Sequence, residues 1–221
     1  MHRRLSGTGP SLIVLAIVTT TLTACSFDSP TSSSNHLSGS GVDTIPVVTG
    51  STGPMLSNGS SFAFDSSSEI AVGDIASTGQ TDRGVVTFNI SALDGDTVQA
   101  ASLRVYECDV VGDPFSFLGT VVVDHITPGI PPGQSQYAGG TLISDIGTIA
   151  LDATNGFRNL TVTSAVQSDV AANGTYSQFR LRFSNEDGNS AGVGDYVDFE
   201  MANGFDCAGD AALAPVLIVT Y

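Results

Sequence analysis

Short segments of alternating apolar and polar residues, separated by turn-forming residues, dominate the sequence. In residues 177–184, for example, aromatic and leucine side chains alternate with Arg180 and Arg182. A period of two places successive side chains on opposite faces of a β-strand. Ten strand-like segments occur, several of which alternate clearly, at residues 61–64, 70–73, 84–90, 98–108, 118–126, 148–153, 159–163, 177–184, 196–201 and 216–221. They predict an all-β fold, a two-sheet antiparallel sandwich of the jelly-roll type.

Residues 163–170 depart from this pattern and predict one short helix. Val166 and Val170 lie four positions apart, so both would fall on the same helix face. Thr163 is a residue type that favours helix starts, and Asn173 with the following glycine ends the segment. The fold is therefore expected to be a sandwich that carries one short helix.

Two further segments make local predictions. Residues 45–48 indicate a first edge strand, because Pro46 is tolerated where a backbone N–H faces solvent. Residues 94–96 (DGD) indicate a hairpin turn that joins the strands at 84–90 and 98–108.

The N-terminus has the organisation of a secretory signal. Arg3 and Arg4 precede an apolar run at residues 12–18, which is too short to cross a bilayer. Residues 22–25 (LTAC) resemble the lipobox of bacterial lipoproteins, in which a peptidase cuts before the cysteine and lipid is attached to its sulfur. Lipidation of Cys25 is therefore predicted. The alternative is an ordinary signal peptide with a chance cysteine.

These features divide the chain into three parts. Residues 1–24 are predicted to be the lipoprotein signal peptide, and residues 25–44 a disordered, flexible Ser/Gly/Thr-rich tether that would span about 25 Å as a coil. Residues 45–221 are predicted to form the β-sandwich domain. Ser26 after the anchor resembles an outer-membrane sorting signal, so the expected location is the cell envelope, and the outer membrane in a Gram-negative cell.

The charge balance excludes several classes of partner. The whole chain carries seven arginines, no lysine and 22 acidic residues. Cleavage before Cys25 would leave five arginines against the same 22 acids, a formal charge of −17. Such a charge repels nucleic acid and anionic headgroups, so contact with the membrane is expected through the lipid anchor alone.

Two cysteines remain after the anchor. Cys108 and Cys207 have one possible pairing in an oxidising compartment, so a disulfide is predicted; two unpaired thiols are the alternative. A zinc site is disfavoured, because the sequence contains no CxxC or HxxxH spacing.

Several stretches resemble the DNRLRE-type domain in the order in which they occur. These stretches are residues 82–91 (DRGVVTFNIS), 101–106 (ASLRVY), 160–163 (LTVT) and 214–221 (APVLIVTY). The resemblance covers roughly residues 60–221. It implies a jelly-roll sandwich of exported bacterial proteins that is related to carbohydrate-binding modules.

The sequence contains no convincing enzyme site. A Ser/His/Asp triad needs a histidine, and His125 is the only one beyond the tether. The GxSxG pattern of hydrolases is absent. The chain is therefore predicted to be non-catalytic, with His125 a surface residue or a residue satisfied by hydrogen bonds.

One acidic loop is a candidate calcium site. Asn185, Asp187, Asn189 and Asp195 supply oxygen side chains around Gly188, and calcium takes six to eight oxygen ligands. A solvated turn without metal is the alternative.

Glycan binding is the most specific functional hypothesis. Five side chains could form a tyrosine and arginine surface that stacks and hydrogen-bonds sugars: Arg104, Tyr106, Arg180, Arg182 and Tyr196. The alternative is that these arginines pair across strands with Glu107, Asp198 and Glu200. The sequence thus predicts a lipid-anchored envelope module that binds polysaccharide or extracellular matrix; the alternative is a structural envelope protein without a small ligand.

Overall fold

Antiparallel β-strands form the framework of the protein. The computed structural model describes residues 41–59, 61–67, 69–75, 80–186, 194–201, 207 and 209–221. The strands within these residues are β1 Val42–Pro46, β2 Gly53–Ser57, β3 Phe62–Phe64, β4 Ile70–Ile75, β5 Gln80–Asn89, β6 Ala100–Val111, β7 Val121–Ile126, β8 Thr141–Ala150, β9 Gly156–Thr161, β10 Tyr176–Phe183, β11 Asp195–Phe199 and β12 Val216–Thr220. The α-helices are α1 Pro114–Phe117, α2 Gln134–Ala138 and α3 Thr163–Ala171.

The strands are hydrogen-bonded in the order β1-β12-β6-β11-β4-β5-β10-β7-β8. In addition, β2 pairs with β3 and β5, and β9 pairs with β6. β4 joins the two halves of this order, because it pairs with β11 on one side and β5 on the other. The inner faces of the two halves share one hydrophobic core. The predicted all-β sandwich is confirmed, but it carries three short helices among the described residues rather than the one that the sequence predicted.

The core is filled by the alternating apolar residues. Phe88 of β5 and Phe179 of β10 lie 6.4 Å apart between ring centroids, and both are fully buried. Leu103 of β6 and Phe199 of β11 enter the same cluster, as does Val166 of α3. Each such side chain contributes roughly 1.5–3 kcal/mol by leaving water. The period of two in the sequence thus marks the inward positions correctly.

Helix α3 confirms the predicted helix almost to the residue. Val166 is fully buried and Val170 packs against the core, as their spacing indicated. The N-cap residue is Val162, and its side chain makes no capping bond. The hydroxyl of Thr163 instead accepts the Ala101 N–H of β6 at 2.9 Å. The threonine therefore ties the helix to the sheet.

The predicted hairpin at residues 94–96 is wrong. β5 pairs with β2, β4 and β10, whereas β6 pairs with β9, β11 and β12. The connection between them crosses from one layer to the other, through a 3-10 turn at Ser91–Leu93 and Gly95 with φ of 84°. Turn residues predict a reversal of the chain, but they do not determine which strand becomes the neighbour.

Strand β2 was missed because its residue types are poor strand formers. It starts with Gly53 and Pro54, which pair with Val85 and Gly84 of β5. Gly53 has φ of 149°, and a Cβ there would lie 1.9 Å from the carbonyl oxygen of Asp65. Gly53 therefore weakens the strand pattern in the sequence, but it also lets the loop backbone at Asp65 approach β2 closely.

The two edge strands of the sheet begin earlier in the chain than the sequence predicted. β1 begins at Val42, three residues before the predicted strand, and its Val42 pairs with Thr220 of β12. β8 begins at Thr141 rather than at residue 148. It pairs only with β7 among the described strands, and its first five residues are exposed. An exposed edge strand has no buried face and therefore no clear alternation.

The predicted disulfide between Cys108 and Cys207 is confirmed, with a Cα–Cα distance of 5.7 Å. It joins β6 to the segment before β12 across 99 residues. In the chain-entropy model, such a loop closure stabilises the fold by about 4–5 kcal/mol.

The predicted signal peptide, Cys25 and most of the tether lie outside the described residues. None of the described helices is long and apolar enough to cross a membrane.

Candidate functional site

An aromatic pair with an arginine lies on the outer face of β6 and β9. Alternation along β6 sends Leu103 and Val105 into the core and turns Arg104 and Tyr106 outward. Tyr106 lies opposite Phe157 of β9 in the strand register. Arg104, Tyr106 and Phe157 are called the aromatic face below.

The three side chains of the aromatic face contact one another. The rings of Tyr106 and Phe157 meet edge to face, with centroids 5.1 Å apart and an interplanar angle of 79°. The guanidinium carbon of Arg104 lies 4.9 Å from the Phe157 centroid, within cation–π range. Phe157 nevertheless stays 47% exposed. A large ring that remains exposed beside a cation is available to a ligand.

Arg104 differs from the other four arginines beyond residue 40. Those four form ion pairs with carboxylates: Arg83, Arg158, Arg180 and Arg182. Within the part of the chain that the structure describes, Arg104 forms none, and its buried Nε–H has no acceptor. Its hydrogen-bonding capacity is therefore not used up by the fold.

Arg180 and Arg182 converge on Asp124 of β7 instead of facing a ligand. Arg180 donates from Nη2 and Nε to Asp124 Oδ2 at 2.6 and 3.1 Å. Arg182 donates from Nε to the same oxygen at 2.9 Å and from Nη2 to Oδ1 at 3.2 Å. Asp124 is fully buried and Arg180 is 5% exposed. These three residues are called the arginine–aspartate cluster.

Helix α2 covers this cluster from outside the sheet. Nη1 of Arg180 donates to the carbonyl oxygens of Gln136, Tyr137 and Gly139 at 2.8–3.1 Å. Arg83 of β5 also donates to Tyr137, and its guanidinium carbon lies 4.4 Å from that ring. The arginines thus hold the α2 segment on the β7–β10 face.

The cluster strongly favours the ionised form of Asp124. Burial by itself would raise the pKa of this carboxyl. Hydrogen bonds from Arg182, the Asp145 N–H and Arg180 outweigh burial and lower the pKa to about 2. The charge pairing that the sequence left open exists, but its carboxylate is Asp124, not Glu107, Asp198 or Glu200.

Asp124 could have been suspected from the sequence. It stands in the otherwise apolar run 121–126 (VVVDHI), all of which is buried. A charged residue in a continuous buried strand requires a partner. Phe157 gave no comparable signal, because an isolated phenylalanine in a strand is ordinarily a core residue.

Tyr196 does not join the other candidate glycan residues. Its strand, β11, pairs with β4 and β6, whereas Arg180 and Arg182 lie on β10 between β5 and β7. Tyr196 instead lines an open cavity of about 230 Å³ on the outer face of β2, β4, β5 and β11.

This cavity is lined by four carboxylates, those of Asp65, Glu69, Asp82 and Asp198, and is called the acidic cavity. Asp82 is 2% exposed, and its Oδ1 has no hydrogen-bond partner among the described residues. Burial, with repulsion from Asp198 and Asp74, raises the pKa of Asp82 to about 7.

The predicted calcium loop is only partly described. Asp187 and Asn189 lie outside the described residues. Asp195 is buried and accepts the Asp113 N–H at 2.7 Å through Oδ1, so it secures the turn after β6. The side-chain amide of Asn185 donates to the Phe117 carbonyl at 3.3 Å. Both described members of the loop are thus engaged with the α1 region.

His125 is buried and hydrogen-bonded rather than at the surface. Its Nε2 lies 2.9 Å from Oδ2 of Asp169 in α3, and the Ser177 hydroxyl donates to that same oxygen at 2.6 Å. In a catalytic triad the serine would donate to the histidine. Here His125 and Ser177 both bond to Asp169 instead of to each other, and these bonds link β7 and β10 to α3.

No protein-family model matches the chain, and no curated protein matches it significantly. The resemblance to DNRLRE-type domains therefore remains an expectation from the sequence.

Proposed function

We propose that this protein is a lipid-anchored, non-catalytic module of the cell envelope that binds polysaccharide through the aromatic face. The observation that carries the proposal is the exposed ring of Phe157 beside Arg104, a cation with no carboxylate partner among the described residues. The sequence-based glycan hypothesis is thereby narrowed from five residues to Arg104 and Tyr106, with Phe157 added.

The chemistry of the aromatic face suits a sugar. The C–H face of a pyranose packs against an aromatic ring, and a guanidinium donates hydrogen bonds to hydroxyl or carboxylate oxygens. The formal charge of −17 after cleavage repels a dense polyanion. A neutral or sparsely charged polysaccharide is therefore the proposed ligand class.

The proposed anchor rests on the residues before the domain. Cleavage before Cys25 and lipidation of its sulfur would place the sandwich on a tether that runs from Cys25 to the start of β1 at Val42, long enough to lift the aromatic face from the membrane. In a Gram-negative cell, Ser26 favours the outer membrane. The resemblance to DNRLRE-type domains agrees with an exported binding module.

Binding is tested by retention of the full-length mature protein on a panel of insoluble and immobilised polysaccharides. Phe157→Ala is expected to lower retention at least tenfold, because it removes the stacking ring. Phe117→Ala is the matched control, since Phe117 is also exposed, at 52%, but lies on α1. Equal retention by both variants would contradict binding at the aromatic face.

Anchoring is tested separately in cells. Metabolic labelling with a fatty acid is expected to mark the wild-type chain, and Cys25→Ser is expected to remove the label and release the protein from the membrane fraction. A labelled or membrane-bound Cys25→Ser variant would contradict the anchor without touching the binding proposal.

A structural envelope protein without a small ligand is the second candidate. The observation that favours it is the β7–β10 face, where α2 and the arginine–aspartate cluster leave no free guanidinium edge on Arg180. Failure of the wild-type protein to bind any member of the panel would favour this candidate.

A further inference from the structure

The acidic cavity contains a buried carboxyl group, that of Asp82, which the fold leaves without a cationic partner among the described residues. Asp82 lies in the middle of four strands: in the register it is opposite Leu56 of β2 on one side and Gly73 of β4 on the other. Gly73 in turn lies opposite Tyr196 of β11. The carboxylate is thus enclosed by backbone of neighbouring strands.

The arginine next to Asp82 in sequence does not compensate it. Alternation along β5 turns Arg83 to the other side of the strand, where it pairs with Glu186 at 2.5 Å and stacks on Tyr137. The charged side chains that line the cavity are all acidic. A carboxylate with an unpartnered oxygen, 2% exposed and surrounded by other carboxylates, is a costly arrangement unless a cation offsets it.

We propose that the acidic cavity binds a calcium ion, with Asp82 as the central ligand and Asp198 and Glu69 supplying further oxygens. Calcium takes six to eight oxygen ligands in irregular geometry and accepts carboxylates, carbonyls and water together. Magnesium requires a near-ideal octahedron with shorter bonds, which an open cavity of this width does not impose.

The carboxylates of the acidic cavity are spread apart rather than tightly clustered. Within the described residues, the set of three metal-ligating side chains within 4.8 Å of one another is Cys108, Glu200 and Cys207, two of which form the disulfide. No three carboxylates of the acidic cavity are that close. Binding of one cation by Asp82, Asp198 and Glu69 therefore requires their side chains to rotate toward it. The volume of about 230 Å³ leaves room for water ligands as well, at roughly 30 Å³ for each water.

The site differs from the calcium loop that the sequence suggested. The described members of that loop, Asn185 and Asp195, already bond to Phe117 and Asp113. Asp82 lies on β5 and has an oxygen to offer. The two assignments can therefore be separated by mutation.

The first experiment is thermal unfolding of the mature full-length protein after chelator treatment and dialysis. Adding calcium chloride at about 100 times its Kd is expected to raise Tm by about 5–10 °C, and magnesium chloride at the same ionic strength by much less. Asp82→Asn is expected to abolish the calcium-dependent rise. Its metal-free Tm should equal or exceed that of the wild type, because the substitution removes repulsion with Asp198, so loss of the rise cannot be ascribed to misfolding.

Asp187→Asn is the matched control, because it removes a carboxylate from the sequence-suggested loop and leaves Asp82, Asp198 and Glu69 unchanged. This variant is expected to keep the full calcium-dependent rise. Three results would overturn the assignment: a wild-type Tm that calcium does not change, a calcium-dependent rise in Tm that persists in Asp82→Asn, or one that Asp187→Asn abolishes.

Terbium provides a second readout that does not depend on stability. The chain has no tryptophan, and Tyr196 lines the cavity, so excitation of tyrosine is expected to sensitise terbium luminescence that calcium competes away. Tyr196→Phe should lose most of this luminescence and keep the calcium-dependent rise in Tm. Luminescence that Tyr196→Phe leaves unchanged would place the ion elsewhere.

Discussion

The arginines of β10 and the arginine of β6 occupy equivalent positions in sequence but have opposite environments. Arg180 and Arg182 alternate with core residues on β10, and Arg104 alternates with Leu103 and Val105 on β6. On β10 the outward face is covered by α2, and both guanidinium groups form ion pairs with Asp124. On β6 the Arg104 guanidinium lies against the ring of Phe157 of β9 and forms no ion pair among the described residues. The difference shows that an outward-facing arginine in an alternating strand either forms an ion pair or stays accessible to a ligand, depending on which side chains the adjacent strands place beside it.

The largest expected effect comes from removing the carboxylate of the arginine–aspartate cluster. Asp124→Ala would leave Arg180 buried without a counter-charge and Arg182 without its partner, and is expected to destabilise the fold by about 3–5 kcal/mol. Urea unfolding measures this loss. If the β10 arginines were instead held in place by α2 alone, the loss would stay below about 1 kcal/mol. The ion pairs with Asp124 would then not explain the difference between the arginines of β10 and Arg104 of β6.

Acid should reproduce part of that loss in the wild type. The pKa of Asp124 is lowered to about 2 from an unfolded value of 3.8, so its stabilisation is present above about pH 4 and disappears as pH falls through 2. The contribution is on the order of 2 kcal/mol. Unfolding free energies between pH 5 and pH 2 should therefore fall more steeply in the wild type than in Asp124→Asn. Equal slopes would show that another carboxylate controls acid stability.

Paired arginine substitutions should separate the two faces by function. Arg104→Ala is expected to lower polysaccharide affinity about tenfold and to change stability little, since Arg104 has no ion pair among the described residues. Arg182→Ala is expected to do the reverse, because its role is to neutralise Asp124. Affinity by isothermal titration and stability by urea unfolding should give opposite rankings for the two variants. The same ranking in both measurements would remove the functional distinction.

The smallest effect is expected at an exposed ion pair. Asp152 pairs with Arg158 at 2.9 Å, but its side chain is 62% exposed, so water screens the interaction. Asp152→Asn should leave the unfolding free energy unchanged within experimental error. A loss comparable with that of Asp124→Ala would mean that burial does not explain the strength of the arginine–aspartate cluster.

Burial patterns were predictable from sequence to the extent that they depend on local spacing. Phe179, Leu181 and Phe183 face the core because a strand alternates, and Val166 does so because a helix repeats every 3.6 residues. β2 and the first half of β8 were missed because Gly53 and the exposed edge residues carry no such period. The hairpin at residues 94–96 failed because a turn does not specify which strands pair.

The sequence alone determined the class of the fold, the inward faces of its strands, helix α3 and the pairing of Cys108 with Cys207. These are consequences of periodicity, of residue chemistry and of there being a single partner for each cysteine beyond the proposed anchor. Only the tertiary structure decided that Asp124 binds the β10 arginines, that Phe157 joins Arg104, and that Asp82 shares its cavity with three other carboxylates. Each of these depends on contacts between residues distant in the chain, and strand order, which local pattern does not encode, brings them together.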